Sequence, residues 1–404
     1  MEIINRQAYS DCIRPFIDKN VIKVLTGQRR VGKSCILQQI AGEIRAEQPE
    51  ANIIFINMEF REFRHLRTDE AMFDYLEDKL RTDRKNYLFI DEVQEIEGFE
   101  NVLRSVQAKE QADIFITGSN AKMLSGELAT YLSGRYVEFH IHSLSYEEFL
   151  LFHRLSDDDN ALRLYLTYGG MPYLANLPLE DDMAFEYLRN IYATIILKDV
   201  VSRERIRNVD FLDSLLTYTA DNVGNLFSAG NISRYLKSQH VNISPLVVIN
   251  YLHALANAFI INKVERVDVA GLKKFEIGSK YYFEDLGLRN CRLSFNYARD
   301  IGRLMENAVY LHLRRLSYDV YVGRVGQQEV DFVGIKGGRR IYVQVAYLIA
   351  DEQTRKREFG NLQAIADNYP KYVVSLDPLL SASDINGIKH LHMREFLKIE
   401  KLKD

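Results

Sequence analysis

Cysteine is scarce. Three thiols, Cys12, Cys35 and Cys291, stand far apart among 404 residues. An odd number at such wide spacing argues against a disulfide framework and a cysteine zinc site, and points to a reducing, cytoplasmic compartment. Glycine and proline are also sparse, at 22 and 7 residues, below the level of fibrous or disordered chains. Neither sign of charge dominates: 52 Lys and Arg face 56 Asp and Glu, a net charge of −4. The chain as a whole is therefore no basic nucleic-acid coat, although a local basic patch fits within that total. The N-terminus carries a charge at Glu2 and no apolar core, unlike a signal peptide. Internal repeats, heptad arrays and low-complexity tracts are lacking too.

Long hydrophobic runs are missing, with one exception. Ser238 to Asn262 holds no Asp, Glu, Lys or Arg and is long enough to span a bilayer. Asn242, Ser244, Asn250, His253, Asn257 and Asn262 interrupt it, and Pro245 reads as a helix start. The expectation is a buried helix of a soluble domain, without membrane contact.

What is present is an ordinary globular balance, 47% apolar and 27% charged, in a chain longer than two domains of about 150 residues. The first third alternates β-rich runs with helical patterns, as an α/β sheet requires. Val21 to Thr26, Asn52 to Met58, Tyr87 to Asp91 and Asp113 to Gly118 read as near-continuous apolar strands, the signature of buried parallel strands. Tyr136 to His142 alternates and reads as a fifth.

Between the first strand and its helix lies GQRRVGKS, Gly27 to Ser34, which fits G-x-x-x-x-G-K-[ST] in the strand-loop-helix context that this motif needs. Glycines let the backbone wrap closely, and successive N–H groups with the helix N-terminus cradle phosphate. The cradle comprises Gly27, Gln28, Arg29, Arg30, Val31, Gly32, Lys33, Ser34 and Cys35. Lys33 reaches the β and γ oxygens, and the Ser34 hydroxyl ligates Mg²⁺.

YLFIDEVQ places Asp91 and Glu92 at the end of a buried strand. Asp91 is expected to hold the Mg²⁺ shell, and Glu92 to polarise an attacking water. The fourth strand ends in TGSN, so Thr117, Ser119 or Asn120 could bond the γ-phosphate or that water. Arg135 in YLSGRY is a candidate γ-phosphate contact, in cis or from a neighbouring subunit. Arg61, Arg64 and Arg67 read as a solvated helical face. A guanine-reading N-K-x-D is missing after the strands; the nearest string, Asn262-Lys263-Val264-Glu265, lies far downstream and ends in Glu. ATP is the expected nucleotide.

From Glu147 to Asn225 the pattern is helical, broken by GGMP at Gly169 to Pro172. Two helices then precede strands IINKVERV and KKFEIG, the order of a winged helix-turn-helix. From Ser228 to Ile277, Arg234, Lys237, Lys263, Arg266, Lys273 and Lys274 face Glu265, Asp268 and Glu276, an excess of +3. The second helix itself has no Lys or Arg, only Asn250, His253 and Asn257. Phosphate contact from the first helix and wing, or packing against protein, are the two alternatives. A helix, GRLMENAVYLHLRRL, and three strands follow, a second α/β unit.

The chain resembles the prokaryotic AAA-type ATPases whose C-terminal part carries the domain of unknown function DUF4143. The resemblance rests on GQRRVGKS, YLFIDEVQ, ITGSN, LSGRY, LSYEEFL, YGGMPYLA, KYYFEDLGLRN, GRLMENAVY and EVDFV, in that order along most of the chain. It implies an α/β fold: a P-loop NTPase parallel sheet of the type with an additional strand and a catalytic glutamate (1–150), a helical segment (151–225), a winged helix (226–285) and a C-terminal unit (295–404) similar to PD-(D/E)xK nucleases. In such nucleases, carboxylates from a helix and two strands hold Mg²⁺, and a Lys helps activate water. By resemblance Glu306 is the helix acid and Asp331 the first strand acid. Gln344 stands where the second strand acid is usual and Ala346 where the Lys is usual; Glu329 restores neither role. The expected unit is nuclease-like without competent chemistry, its surviving acids pairing with Arg303 or Arg324.

These readings converge on a cytoplasmic, Mg²⁺-dependent ATPase that drives a conformational or assembly switch. The alternative is a regulator gated by ATP occupancy with little turnover, and a third reading is an active nuclease. Expected partners are ATP, then DNA through the winged helix, a second copy of the chain, or another protein.

Overall fold

The structure, a computed structural model, describes residues 4–121, 132, 134–238, 241–274, 278–293, 295–349, 352–378 and 384–402. They form two compact units, 1–142 with 257–259, and 143–256 with 260–404.

The first unit is built on five strands: β1 (Ile22–Thr26), β2 (Asn52–Asn57), β3 (Asn86–Asp91), β4 (Asp113–Gly118) and β5 (Tyr136–His140). All pair in parallel, in the order β2-β3-β4-β1-β5. Every residue of β1 and β3 is buried, which explains their unbroken apolar character. Helices α1 (Gln7–Ile13), α2 (Lys33–Glu47), α3 (Asp69–Lys79) and α4 (Phe99–Ala108) accompany them. One layer of the core sets Ile54, Ile56, Leu88, Ile90 and Ile116 against Met72 and Leu76 of α3 and Val102, Leu103 and Val106 of α4. β4 lies between β1 and β3, with Thr26 opposite Gly118 and Ile90 opposite Ile116. The carboxyl ends of three neighbouring strands therefore share one edge, where an open α/β sheet binds its ligand.

The second unit begins with α5 (Tyr146–His153), α6 (Asp159–Tyr168), α7 (Asp181–Ile195) and α8 (Val209–Asp221). LSYEEFL starts α5 with a capping box between Ser145 and Glu148. Next come α9 (Ala229–Ser238), α10 (Pro245–Asn257), β6 (Ile261–Val264), β7 (Arg266–Asp268) and β8 (Lys280–Phe283). The uncharged stretch thus becomes a 13-residue helix and a strand, and among the described residues no helix is long and apolar enough to cross a membrane. The antiparallel partner of β6 is β8, just beyond the KKFEIG expected to pair with it; residues 275–277 of that string lie outside the described residues.

After α11 (Leu286–Asn290) and α12 (Tyr297–Arg315) come β9 (Asp319–Val325), β10 (Gln328–Lys336) and β11 (Arg339–Val345) as an antiparallel meander. Helix α13 (Glu352–Gln363) then crosses to β12 (Lys371–Ser375), parallel to β11. β13 (Asp384–Ile385) and β14 (Ile388–His392) extend one edge and β7 closes the other, giving the order β13-β14-β12-β11-β10-β9-β7.

Three sequence motifs interlock inside this unit. The Asp285 carboxylate accepts from the N–H groups of Gly170 (2.8 Å) and Leu288 (3.0 Å), and Asn290 donates to the carbonyls of Leu166 and Thr167. Gly287 lies so near Tyr168 that a Cβ there would stand 2.0 Å from its carbonyl oxygen. Asn307 of α12 pairs both ways with the Phe283 backbone at 2.8 Å, extending β8 onto the helix. YGGMPYLA, KYYFEDLGLRN and GRLMENAVY are thus a packing set.

Candidate nucleotide site

Gly27 leaves β1 with φ +140°, and a Cβ on it would meet the Ile141 carbonyl oxygen at 2.2 Å. Only glycine fits there. Arg30 and Gly32 also adopt positive φ, 70° and 96°, and the chain enters α2 at Lys33. The Lys33 ammonium donates to the carbonyls of Gly27 (3.0 Å) and Gln28 (2.9 Å), closing the loop around itself. Gln28 is fully buried, and neither polar atom of its side chain has a partner among the described residues. Cys35 is exposed on one side, and the protein packed around it, with the Asp91 charge, raises its pKa, so it is no activated thiol.

Arg6, invisible to motif reading, braces the loop. Its guanidinium donates to the carbonyls of Val31 (3.0 Å) and His142 (2.9 Å). A lone arginine before α1 gives no local pattern; its role follows from contacts 25 and 136 residues away.

At the end of β3, Asp91 is buried and held on both oxygens. Thr117 donates to Oδ1 at 2.5 Å and Asn57 to Oδ2 at 3.0 Å. The Ser34 hydroxyl also bonds this carboxylate. Burial pushes the Asp91 pKa above the usual carboxylate range, outweighing Thr117, Ser34 and the Lys33 charge. Two hard oxygen donors on facing elements, a hydroxyl and a carboxylate short of positive charge, are the chemistry that Mg²⁺ takes.

Glu92 sits in left-handed backbone, φ 57° and ψ 54°, a conformation that costs a non-glycine residue about 1–3 kcal/mol and gathers at functional sites. Its N–H donates to Thr117 Oγ1 at 2.9 Å. Its Oε2 accepts from Ser119 at 3.1 Å and from the Gln94 amide. Burial opposes its ionisation, yet the charges of Lys33 and Arg29 with the Gln94 and Ser119 bonds hold its pKa below the usual range. Asp91 and Glu92 are adjacent acids driven in opposite directions, and perturbed acids of this kind gather at functional sites.

Lys33, Ser34, Asp91, Glu92 and Ser119 are therefore brought together. Of the three alternatives after β4, the Thr117 hydroxyl is engaged by Asp91 and the Glu92 backbone, and Ser119 bonds the Glu92 carboxylate. Arg29 pairs with Glu59 at 3.3 Å. Arg135 is not brought to the loop within this chain. It is exposed just before β5, and its carbonyl pairs with Ile22 at the start of β1. Five residues of extended chain, about 16 Å, separate that edge from Gly27, so a contact in cis is not made.

In the second unit, Glu306 and Asp331 pair neither with Arg303 nor with Arg324, which bond Asp300 and the Gly326 carbonyl. Their partner is Lys280, three residues before Phe283 in β8. No spacing signal links Lys280 to Glu306; only the pairing of β8 with α12 brings them together.

A parallel sheet, a glycine loop wrapped on its lysine and a paired-acid strand end define an AAA-type P-loop ATPase. A family model described as an AAA domain matches residues 19–150. A second, for the domain of unknown function DUF8612, matches 159–299, in place of the DUF4143 of the resemblance. An uncharacterized protein of Haemophilus influenzae is 34% identical over 406 residues, 98% of each chain. Uncharacterized protein MJ1544 of Methanocaldococcus jannaschii is 30% identical over 354 residues, 84% of this chain and 77% of that one. The chain belongs to the family of these two proteins. The solved Aeropyrum pernix ORC1 protein in complex with DNA aligns over 74% of this chain and 95% of that one, at 12% identity and a TM-score of 0.33, too low to argue from.

Proposed function

We propose that the protein hydrolyses ATP to ADP and phosphate in a Mg²⁺-dependent reaction, and that the cycle drives a conformational or assembly switch. The observation that carries this reading is Glu92: a buried, ionised carboxylate in strained backbone, next to a metal-type acid and the loop lysine. In the reaction, the N–H groups of the Gly27–Ser34 loop and α2 would hold the phosphates. Lys33 would leave the Gly27 and Gln28 carbonyls for the β and γ oxygens. Ser34 and Asp91 would hold Mg²⁺, which would neutralise phosphate charge. Gln94 and Ser119 both bond Glu92 Oε2, a geometry that supports Oε1 as the atom that accepts the proton of water. Arg135 fits a contact supplied by a neighbouring copy. The cytoplasm is the compartment that the sparse, unpaired thiols favour.

For the second unit, the order α8, Phe227 bridged to Ser279, α9, α10, β6 and β8 supports a winged helix, and helix, meander, crossover and parallel strand support the nuclease-like unit. Helix α10 exposes Leu246, Ile249, Asn250 and His253 along one face. A face with two large apolar residues and no Lys or Arg favours a protein partner over DNA.

The test compares Glu92→Gln with wild type at saturating ATP. Turnover should fall about 10²–10⁴-fold, the usual contribution of a positioned base, while ATP binding persists. Equal turnover would refute the role of Glu92. Adding duplex DNA, and measuring particle mass with and without ATP, separates a DNA-gated switch from an assembly switch.

A further inference from the structure

We infer that the ammonium group of Lys280 is a built-in cation among Glu306, Glu329 and Asp331, standing where a divalent metal would stand and closing this end of the second α/β sheet to metal-dependent phosphodiester chemistry.

Three carboxylates from α12 and β10 converge on one nitrogen. Lys280 Nζ lies 3.0 Å from Glu306 Oε1, 2.8 Å from Glu329 Oε1 and 3.9 Å from Asp331 Oδ1, and its side chain is 4% exposed. An ammonium has three N–H donors; two meet Glu306 and Glu329 at hydrogen-bond distance, and Asp331 lies at ion-pair distance. The same acids take further donors. The Tyr282 hydroxyl donates to Glu306 Oε1 at 2.6 Å, and the Val345 N–H to Asp331 Oδ2 at 2.8 Å. Gln344 accepts from the Asp331 N–H at 3.3 Å and donates to Glu358 at 3.0 Å.

A divalent ion needs several oxygens at about 2.0–2.6 Å around a common centre. That centre here is filled by nitrogen, at hydrogen-bond distance from Glu306 and Glu329 and 3.9 Å from Asp331. Removing one partner of a buried ion pair leaves an uncompensated charge and is strongly destabilising, so the lysine cannot step aside at low cost. Two of its donors are taken by Glu306 and Glu329, which ties it to the acids. The absence of Lys at 346 and of an acid at 344 then has a counterpart: the remaining acids are neutralised from β8, and the same contacts tie β8 to α12 and β10. Metal-free cohesion replaces metal-dependent chemistry.

The test uses the full chain carrying Asp91→Asn, which silences the P-loop metal position, with Mn²⁺ alone as probe. The unfolding temperature should be the same in EDTA and in 1 mM Mn²⁺, and calorimetry should detect no stoichiometric Mn²⁺ site. Adding Lys280→Met should lower the unfolding temperature in EDTA, and 1 mM Mn²⁺ should then raise it by about 3 °C or more. Asp331→Asn on top should abolish that rescue, and Lys280→Arg should remain insensitive to Mn²⁺. A Mn²⁺ site in the chain that retains Lys280, removed by Asp331→Asn, would overturn the inference. So would Mn²⁺-dependent DNA cleavage by the protein with Lys280 intact. Both of these measurements decide the matter even where Lys280→Met fails to fold.

Discussion

Replacing Thr117 by valine isolates what holds the two acids of the nucleotide site. Valine keeps the shape of threonine and removes the hydroxyl, at a position with no exposure. Two bonds are lost: the 2.5 Å donation to Asp91 Oδ1 and the 2.9 Å acceptance from the Glu92 N–H. A bond to a charged group contributes about 1.5–3 kcal/mol, and a buried N–H left unpaired costs about 1–3 kcal/mol. Burying the extra methyl returns about 0.8 kcal/mol, and relaxation of left-handed Glu92 returns part of its strain. The net loss should be about 2–4 kcal/mol, read as a lower urea midpoint for the first unit. Because the Thr117 bond favours ionised Asp91, its removal should also shift the Mg²⁺ dependence of turnover to higher concentration. Turnover should fall about 10-fold or more as Glu92 leaves its place, with ATP affinity nearly unchanged. A valine variant with wild-type midpoint and wild-type turnover would refute this account of how the acids are organised.

Two further outcomes follow from the second unit. Gly287→Ala places a Cβ 2.0 Å from the Tyr168 carbonyl oxygen. Backbone cannot yield there as a flexible side chain would, so thermal unfolding should show a loss of about 2 kcal/mol or more. His312 is buried with Nε2 unpaired, and burial, aided by the Arg315 charge, pulls its pKa down to about 3. The unfolded chain then binds the extra proton first, so stability present above about pH 6.5 is lost as pH falls toward 3, by roughly 3–5 kcal/mol. His312→Phe should flatten that slope, and an unchanged slope would assign the acid sensitivity elsewhere.

The parallel sheet was legible because burial on both faces writes itself as apolar runs: Asp113 to Gly118 is β4 to the residue. The loop and the acids were legible because phosphate chemistry demands fixed residues at fixed local spacing. Contacts between distant segments were not. Arg6 reaches Val31 and His142, and Lys280 reaches Glu306, through pairings that no window of sequence contains. Thr117, Ser119 and Asn120 stand as alternatives in the sequence, because alternation along a strand does not say which neighbour takes a hydroxyl; Thr117 bonds Asp91 and Ser119 bonds Glu92. The motif leaves Arg135 open to a contact in cis or from a neighbouring subunit, and its strand begins beside Ile22, at the opposite end of β1 from Gly27.

The two acid clusters show how little of this lies in residue type. Each gathers carboxylates, hydroxyl donors and one buried lysine. In the first, Lys33 spends its donors on two loop carbonyls, Gly27 and Gln28. Carbonyls hold an ammonium less firmly than carboxylates do, so a phosphate can take it over, and Asp91 stays short of positive charge until a cation arrives. In the second, Lys280 bonds two carboxylates directly and approaches a third, so a cation already stands among the acids. The acceptor that each lysine takes decides between a site that can open and one that cannot. Exchanging that property therefore requires moving a cation, as in Lys280→Met, and not adding an acid.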